Sequence, residues 1–128
     1  MIRRRRGDDE RGSASVVAAG ILVAVMVLAL GAADLARVFV AAARAQTAAD
    51  AAALAAAQSL ALPGEMEPPR AADDLAARNG ARVRSCVCET GTFEARVEVE
   101  APVGRLFLSP DDLVVTARAR AVVEVPEP

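Results

Sequence analysis

The sequence predicts an α+β protein in which one long N-terminal helix is followed by a short second helix and a small antiparallel three-stranded β-meander. Three observations favour this fold class. Residues 12–33 carry no charged side chain, residues 34–62 contain neither glycine nor proline, and apolar and polar residues alternate after Gly80. These patterns predict, in order, a membrane-spanning segment, its helical continuation, and strands with one buried face.

The membrane prediction rests on the uncharged segment. Val16–Ala33 contains only Val, Ala, Gly, Ile, Leu and Met, and about 20 such residues in a helix cross the ~30 Å hydrocarbon core of a bilayer. We therefore expect a transmembrane part at about residues 14–33. The preceding residues 1–12 carry five arginines and form a basic leader that is expected to stay in the cytoplasm. Everything after about Ala33 is then extracytoplasmic.

The helix is expected to continue beyond the membrane. Residues 13–62 are predicted to form one continuous helix, about 75 Å long at 1.5 Å per residue, that ends at Pro63-Gly64. A narrow apolar stripe runs along this helix, at Leu35, Phe39, Ala42, Ala49, Ala53, Ala56 and Leu60. Asp34 and Arg37 lie on another face, where a weak ion pair is expected.

The small residues of the stripe make Ala42, Ala49, Ala53 and Ala56 the candidate helix-packing positions, because small side chains let helix backbones approach closely. Two interpretations are open. The helix is either a signal anchor with a passive alanine-rich stalk, or a rod that packs laterally against copies of itself or related rods.

A linker at residues 63–70 precedes a small extracytoplasmic α+β domain at residues 71–128. Its helix is predicted over Ala71–Asn79, with Asp73 and Asp74 near its start, Arg78 near its end, and Asn79-Gly80 as a left-handed cap.

Strands follow around residues 83–88, 93–101 and 113–125. Acidic and arginine side chains on their exposed face favour antiparallel pairing. The buried face consists of Val and Ala, so the sheet buries little by itself and is expected to need the long helix as a cover.

The residue types exclude several classes of function. Histidine, lysine, tyrosine and tryptophan are absent, which removes the commonest general base and the usual Schiff-base nucleophile. A net charge of −2 gives no overall basic field for nucleic acid. We therefore expect that the protein is not an enzyme and has no cofactor. We also expect no catalytic, cofactor-binding or metal-binding residue. Neither a nucleic-acid partner nor a small-molecule substrate is expected.

Cys86 and Cys88 form a Cys-x-Cys pair that lies outside the membrane, where disulfides persist. On a regular strand both side chains point to the same face, with Cα atoms near the upper limit for a disulfide. A local or an intermolecular disulfide is ranked first and two free thiols second. Metal binding is ranked last, because two thiols fall short of the four ligands of a zinc site.

Three sequence features together resemble a known family. Glu10-Arg11-Gly12-Ser13-Ala14 opens the apolar helix, and Asp34-Leu35-Ala36-Arg37 follows the uncharged segment. Ala45-Gln46-Thr47-Ala48-Ala49-Asp50-Ala51-Ala52-Ala53-Leu54-Ala55-Ala56-Ala57 lies further along the helix. This arrangement resembles the N-terminal region of TadE/TadG-like proteins of tight-adherence (Flp) pilus assembly. The segment Asn79-Gly80-Ala81, with Cys86 and the following strands, is similar to a short actinobacterial branch of TadE-like proteins found beside helicase and secretion genes.

The resemblance implies a minor pilin or pseudopilin-like structural subunit of a Tad-like pilus or secretion apparatus. Its partners would be the membrane, other pilin-like subunits, and membrane and ATPase components of the secretion system. In that family a prepilin peptidase cleaves after a glycine, which corresponds here to the bond between Gly12 and Ser13. Five residues beyond Gly12, where the family usually has glutamate, this chain has Val17.

The expected location is the cytoplasmic membrane, with a single pass, a cytoplasmic N-terminus and an extracytoplasmic C-terminus. Processing would place the protein at the cell surface or release it. Two alternatives stand beside the pilus interpretation. One is a generic single-pass membrane-anchored envelope or binding protein. The other is a Sec-secreted protein that is cleaved near Ala33.

Overall fold

A computed structural model describes the chain over residues 6–62, 64 and 66–124, with side chains described from Gly12 onward. Residues 1–5 of the basic leader, the predicted helix stop at Pro63 and the predicted strand end at Val125 lie outside the described residues. The elements follow the predicted order and confirm the α+β class; they are α1 (Arg6–Ala61), α2 (Pro68–Arg78), β1 (Arg82–Glu89), β2 (Glu94–Pro102) and β3 (Val114–Val122).

Helix α1 is a single element of 56 residues, about 84 Å long at 1.5 Å per residue. It begins at Arg6, before the predicted start at residue 13, and ends at Ala61, one residue before the predicted end at residue 62. Its two halves have different surroundings. Residues 12–29 are exposed along their whole length, whereas buried positions recur from Asp34 to Leu60.

Helix α2 begins at Pro68, earlier than the predicted Ala71, because proline at the first helical positions has a fixed, helix-compatible φ and needs no backbone donor. Asp73 and Asp74 therefore lie in the middle of the helix, and their predicted place near its start is wrong. Asp74 instead pairs with Arg78, with a nitrogen–oxygen distance of 2.9 Å.

The predicted cap after α2 is confirmed. Gly80 has a φ of 72°, and its amide donates to the Ala77 carbonyl, while the amide of Ala81 donates to the Ala76 carbonyl. This pair of hydrogen bonds is a Schellman motif.

The three strands form one antiparallel sheet in the order β1-β2-β3, which confirms the predicted meander. Strand β1 contains an irregularity between Val83 and Ser85. An extra residue of this kind shifts the alternation of side chains, so Val83 faces the core together with Cys86 and Cys88 despite the odd spacing.

The core lies between the second half of α1, the helix α2 and the inner face of the sheet. Alanine fills most of it, and Val97 and Val99 are its largest fully buried side chains. Helix α1 covers strands β2 and β3, as the alanine- and valine-rich inner face of the sheet predicts. The buried apolar positions of α1 are Ala41, Ala45, Ala48, Ala49, Ala52, Ala53, Ala56, Ala57 and Leu60.

Candidate functional site

Residues 12–29 are the exposed first half of α1, and we call them the bare half. They form the most unusual surface of the molecule. Among the described residues, one helix is long and apolar enough to cross a membrane, and its most apolar window of 18 residues contains no buried residue. Large exposed apolar side chains occupy every side of this segment, which a water-exposed surface rarely tolerates. They are Val16, Val17, Ile21, Leu22, Val23, Val25, Met26, Val27 and Leu28.

Asp34 marks the point where the bare half ends and the folded domain begins. Its carboxylate is only 8% exposed and accepts hydrogen bonds from two backbone amides of the β2–β3 loop, residues 103–113. The Phe107 amide donates to both carboxylate oxygens, at 2.8 and 3.0 Å, and the Leu108 amide donates at 2.8 Å. A helix side chain thus fixes a loop that is distant in sequence.

Arg37 holds the same loop from the next turn of the helix. Its guanidinium donates to the Arg105 carbonyl and lies 4.4 Å from the centroid of the Phe107 ring. The weak ion pair expected between Asp34 and Arg37 is therefore wrong, because the loop supplies better partners for both side chains. The carboxylate takes backbone amides and the guanidinium takes a carbonyl and an aromatic face.

The four candidate helix-packing alanines divide into two groups. Ala49, Ala53 and Ala56 are at most 1% exposed, and they pack within the chain rather than on its surface. Ala42 is exposed, as are Leu35 and Phe39 from the same predicted stripe. The packing expected between separate rods is therefore, at the three buried positions, packing of α1 against its own domain.

The Gln-x-Ala-Ala-Asp segment has a local role that explains its residue types. The Gln46 amide donates to the Asp50 carboxylate at 3.0 Å and to the Arg118 carbonyl of β3 at 3.4 Å. The alanines between and after these two residues are small enough for the sheet to approach the helix backbone closely.

The predicted processing position, Gly12 and Ser13, lies inside α1 and both residues are exposed. A Cβ atom placed on Gly12 would meet nothing within 4 Å. Val17 is likewise exposed, at 59%. Cleavage at this position stays a prediction.

The two cysteines lie on the inner side of β1, half-buried against the core. Their Cα atoms are 6.0 Å apart and their sulfur atoms lie within bonding distance. This separation is within the usual range for a disulfide. Their oxidation in the cell stays a prediction.

The outer face of the sheet carries a network of ion pairs. Arg118 donates to Glu98 at 2.7 Å across β2 and β3, in the pairing expected for antiparallel strands. Arg120 and Arg96 bind the two oxygens of Glu94 at 2.8 and 2.6 Å. The hydrogen bond from Arg120 is the main cause that holds the pKa of Glu94 below its ordinary value; burial opposes it, and the Arg96 hydrogen bond also lowers this pKa.

Glu100 has a similar environment at the other end of β2. Arg82 donates to its carboxylate, and the Arg84 guanidinium lies 3.6 Å away. The Arg82 hydrogen bond lowers the pKa of Glu100; burial partly opposes it, and the charges of Arg82 and Arg84 reinforce the decrease.

Two further observations concern ligands. An open cleft of about 770 Å³ lies between the end of α1 and helix α2, where Ser59, Arg70, Asp74 and Arg78 form part of its lining. Two of its charged side chains, Asp74 and Arg78, are paired with each other. Over the described ranges, no three His, Cys, Asp or Glu side chains are grouped so that they could hold a metal ion.

The sequence does not predict the contact between Asp34 and the β2–β3 loop. The residues Ser109-Pro110-Asp111-Asp112 indicate only a turn before the last strand. A usable signal was the apolar run Leu106-Phe107-Leu108, which contains one of only three phenylalanines and lies between charged and turn-forming residues.

One comparison with known proteins gave a match, and the match lies within α1. Residues 12–59 match the Tad family model, described as Flp pilus-assembly TadE/G-like. Neither the search of curated proteins nor the search of solved structures gave a match. The matched residues cover the bare half of α1 and nearly all of the half that carries the domain. This part of the chain is therefore similar to TadE/G-like proteins of Flp pilus assembly, as its residues predict.

Proposed function

We propose that this protein is a membrane-anchored minor pilin or pseudopilin-like subunit of a Tad-like pilus or secretion apparatus. In this proposal the bare half of α1 crosses the cytoplasmic membrane with its N-terminus inside, and the α+β domain lies outside. The observation that carries the proposal is the coincidence of the family match, residues 12–59, with a helix that is half bare and half covered by its own domain.

The role proposed here is structural rather than catalytic. A helix of about 84 Å is far longer than the domain that covers it, so its apolar first half needs lipid or other helices as neighbours. The exposed residues Leu35 and Phe39 extend the apolar surface beyond the predicted membrane boundary. We assign this short stretch to contacts with other pilin-like subunits.

Site-specific photo-crosslinking in the cell of origin tests the proposal. A photoreactive residue is introduced at Leu22 in the bare half, at Phe39 just beyond it, or at Val87 on the outer face of the sheet. Phe39 and Val87 are 66% and 54% exposed, so Val87 is a control of similar accessibility. We expect positions 22 and 39 to capture pilin-like or secretion-platform subunits, identified by mass spectrometry, and position 87 to capture few.

Two other results would favour the alternatives. Recovery only from culture fluid, with Asp34 as the first residue, would indicate a secreted protein that is cleaved after Ala33. Recovery from membranes without cross-links to pilus components, and normal pili in a deletion strain, would indicate a generic anchor.

A further inference from the structure

The β2–β3 loop lies beside the end of the proposed membrane span. A Cβ atom placed on Gly31 would lie 3.6 Å from Leu108 Cδ1. Gly31 belongs to the uncharged segment, and Asp34 is the first charged residue after it. The tip of the loop is therefore level with the last turn of the segment expected to lie in lipid.

The loop is fixed in this place by several polar contacts. The two ends of the loop are joined by a hydrogen bond, in which the Val103 amide donates to the Leu113 carbonyl at 2.9 Å. Its tip is fixed by the two amides that bind Asp34, at 2.8 to 3.0 Å. Arg37 adds the Arg105 carbonyl and the face of the Phe107 ring. The direction of the apolar tip is thus set by the helix.

The side chains at the tip are nevertheless exposed. Phe107 is 58% exposed and Leu108 is 55% exposed, although the carboxylate that binds their amides is only 8% exposed. On the face of α1 that carries Gly31, the apolar residues Leu28 and Leu35 are also exposed, about one turn before and one turn after it. Exposed Phe and Leu at the end of a membrane span, with arginines beside them, are the side chains that a lipid interface accommodates.

A carboxylate at the edge of the hydrocarbon is costly unless it is paired or covered. The loop amides supply Asp34 with hydrogen bonds and the loop itself covers it. We propose that the β2–β3 loop is a second membrane contact, which places Phe107 and Leu108 in the leaflet on the side of the folded domain and shields Asp34 from lipid. This inference rests on the membrane anchoring proposed above.

Tryptophan fluorescence can test the contact, because the chain has no Trp or Tyr of its own. The full chain is reconstituted in phosphatidylcholine vesicles whose acyl chains are brominated either near the glycerol or near the methyl end. Three reporters are compared: Phe107→Trp in the loop, Leu22→Trp in the span, and Val87→Trp on the outer face of the sheet. Leu108→Trp serves as a second loop reporter if the first variant does not fold.

We expect the loop reporter to emit at short wavelength and to lose emission with shallow bromine. The span reporter should lose emission most with deep bromine, and the sheet reporter should lose none. Adding Asp34→Ala to Phe107→Trp should restore much of the lost emission, because the loop loses its attachment to the helix.

The outcomes separate the two proposals. Without quenching of the span reporter, the membrane anchoring itself would be wrong. If the span reporter is quenched but the loop reporter is not, the anchoring stands and the loop contact is overturned. A loop reporter with short-wavelength emission but no quenching would show that protein, rather than lipid, covers the tip, and this too would overturn the inference.

Discussion

At the scale of single residues, polar side chains of this chain join elements of the fold. Asp34 and Arg37 connect the helix to the β2–β3 loop, and Gln46 connects it to β3. The glutamates of β2 are held by arginines from both neighbouring strands. Each contact joins parts that are far apart in sequence, so its effect should appear in stability and in the position of the loop.

The glutamates of β2 predict a pH dependence of stability. Glu94 and Glu100 have pKa values lowered by their arginine partners, so their stabilising contribution is complete above the unfolded-state pKa of about 4.3. It is lost as the pH falls from there through the lowered folded-state values. Amide hydrogen exchange of β2, measured on the full chain in detergent at a series of acidic pH values, should show this loss.

The double variant Glu94→Gln, Glu100→Gln is the matched test of that dependence. It should be less stable than the wild type at neutral pH and should lose less stability as the pH falls. If stability falls equally steeply with decreasing pH in both proteins, these two carboxylates do not cause the loss of stability in acid.

The cysteine pair gives a second prediction at this scale. We expect Cys86 and Cys88 to be oxidised within one chain, because they lie close together on one face of β1 and the proposed topology places them outside the membrane. Replacing both with alanine should weaken the domain by about 1.5 kcal/mol, a small effect because the closed loop is very short. Thiol labelling before and after reduction, with a non-reducing gel, measures the redox state. Full labelling without reduction would contradict the prediction, and a reducible dimer would indicate a bridge between chains.

At the scale of elements, α1 is one continuous helix whose two halves have different surroundings. The same backbone passes from a segment with apolar residues on every side to one with a buried face of alanine. Alanine suits the second half because it favours helix and lets the sheet approach the backbone. The sheet therefore packs directly on α1, and without this helix its inner face would be uncovered.

Ala49 tests this intramolecular packing. Because Ala49 is 0% exposed, Ala49→Leu should overpack the core and destabilise the domain by about 1–3 kcal/mol, with faster amide exchange in the sheet. Ala42→Leu is the control, since the same change at an exposed position of the same helix should cost little. Equal stability of the two variants would show that the alanine face is not tightly packed.

The sequence predicted the elements well because their signals are local. Seven or more alternating residues specify β2 and β3, and an uncharged run specifies the span. The partner of the alanine stripe could not be predicted, because alanine at helical spacing fits the chain's own sheet as well as another rod. The contact between Asp34 and the β2–β3 loop could not be predicted either, because its donors are backbone amides more than 70 positions away, at Phe107 and Leu108.

At the scale of the whole molecule, the proposed function divides α1 near Ala33 into a lipid-embedded half and a half that carries the domain. The similarity of residues 12–59 to TadE/G-like proteins and the bare apolar surface both favour this division. It predicts three kinds of surroundings along one helix: lipid around Leu22, water at Ala42 and protein at Ala49.

Cysteine accessibility measures these surroundings directly. Single cysteines are placed at Leu22, Ala42 or Ala49 in a Cys86→Ala, Cys88→Ala background, and cell membranes are treated with a membrane-impermeant maleimide. We expect the cysteine at 42 to react at once, that at 49 only when urea unfolds the domain, and that at 22 only after the membrane is dissolved in detergent and denatured. Reaction at position 22 in intact membranes, or no reaction at position 42, would contradict the division of α1 on which the account depends.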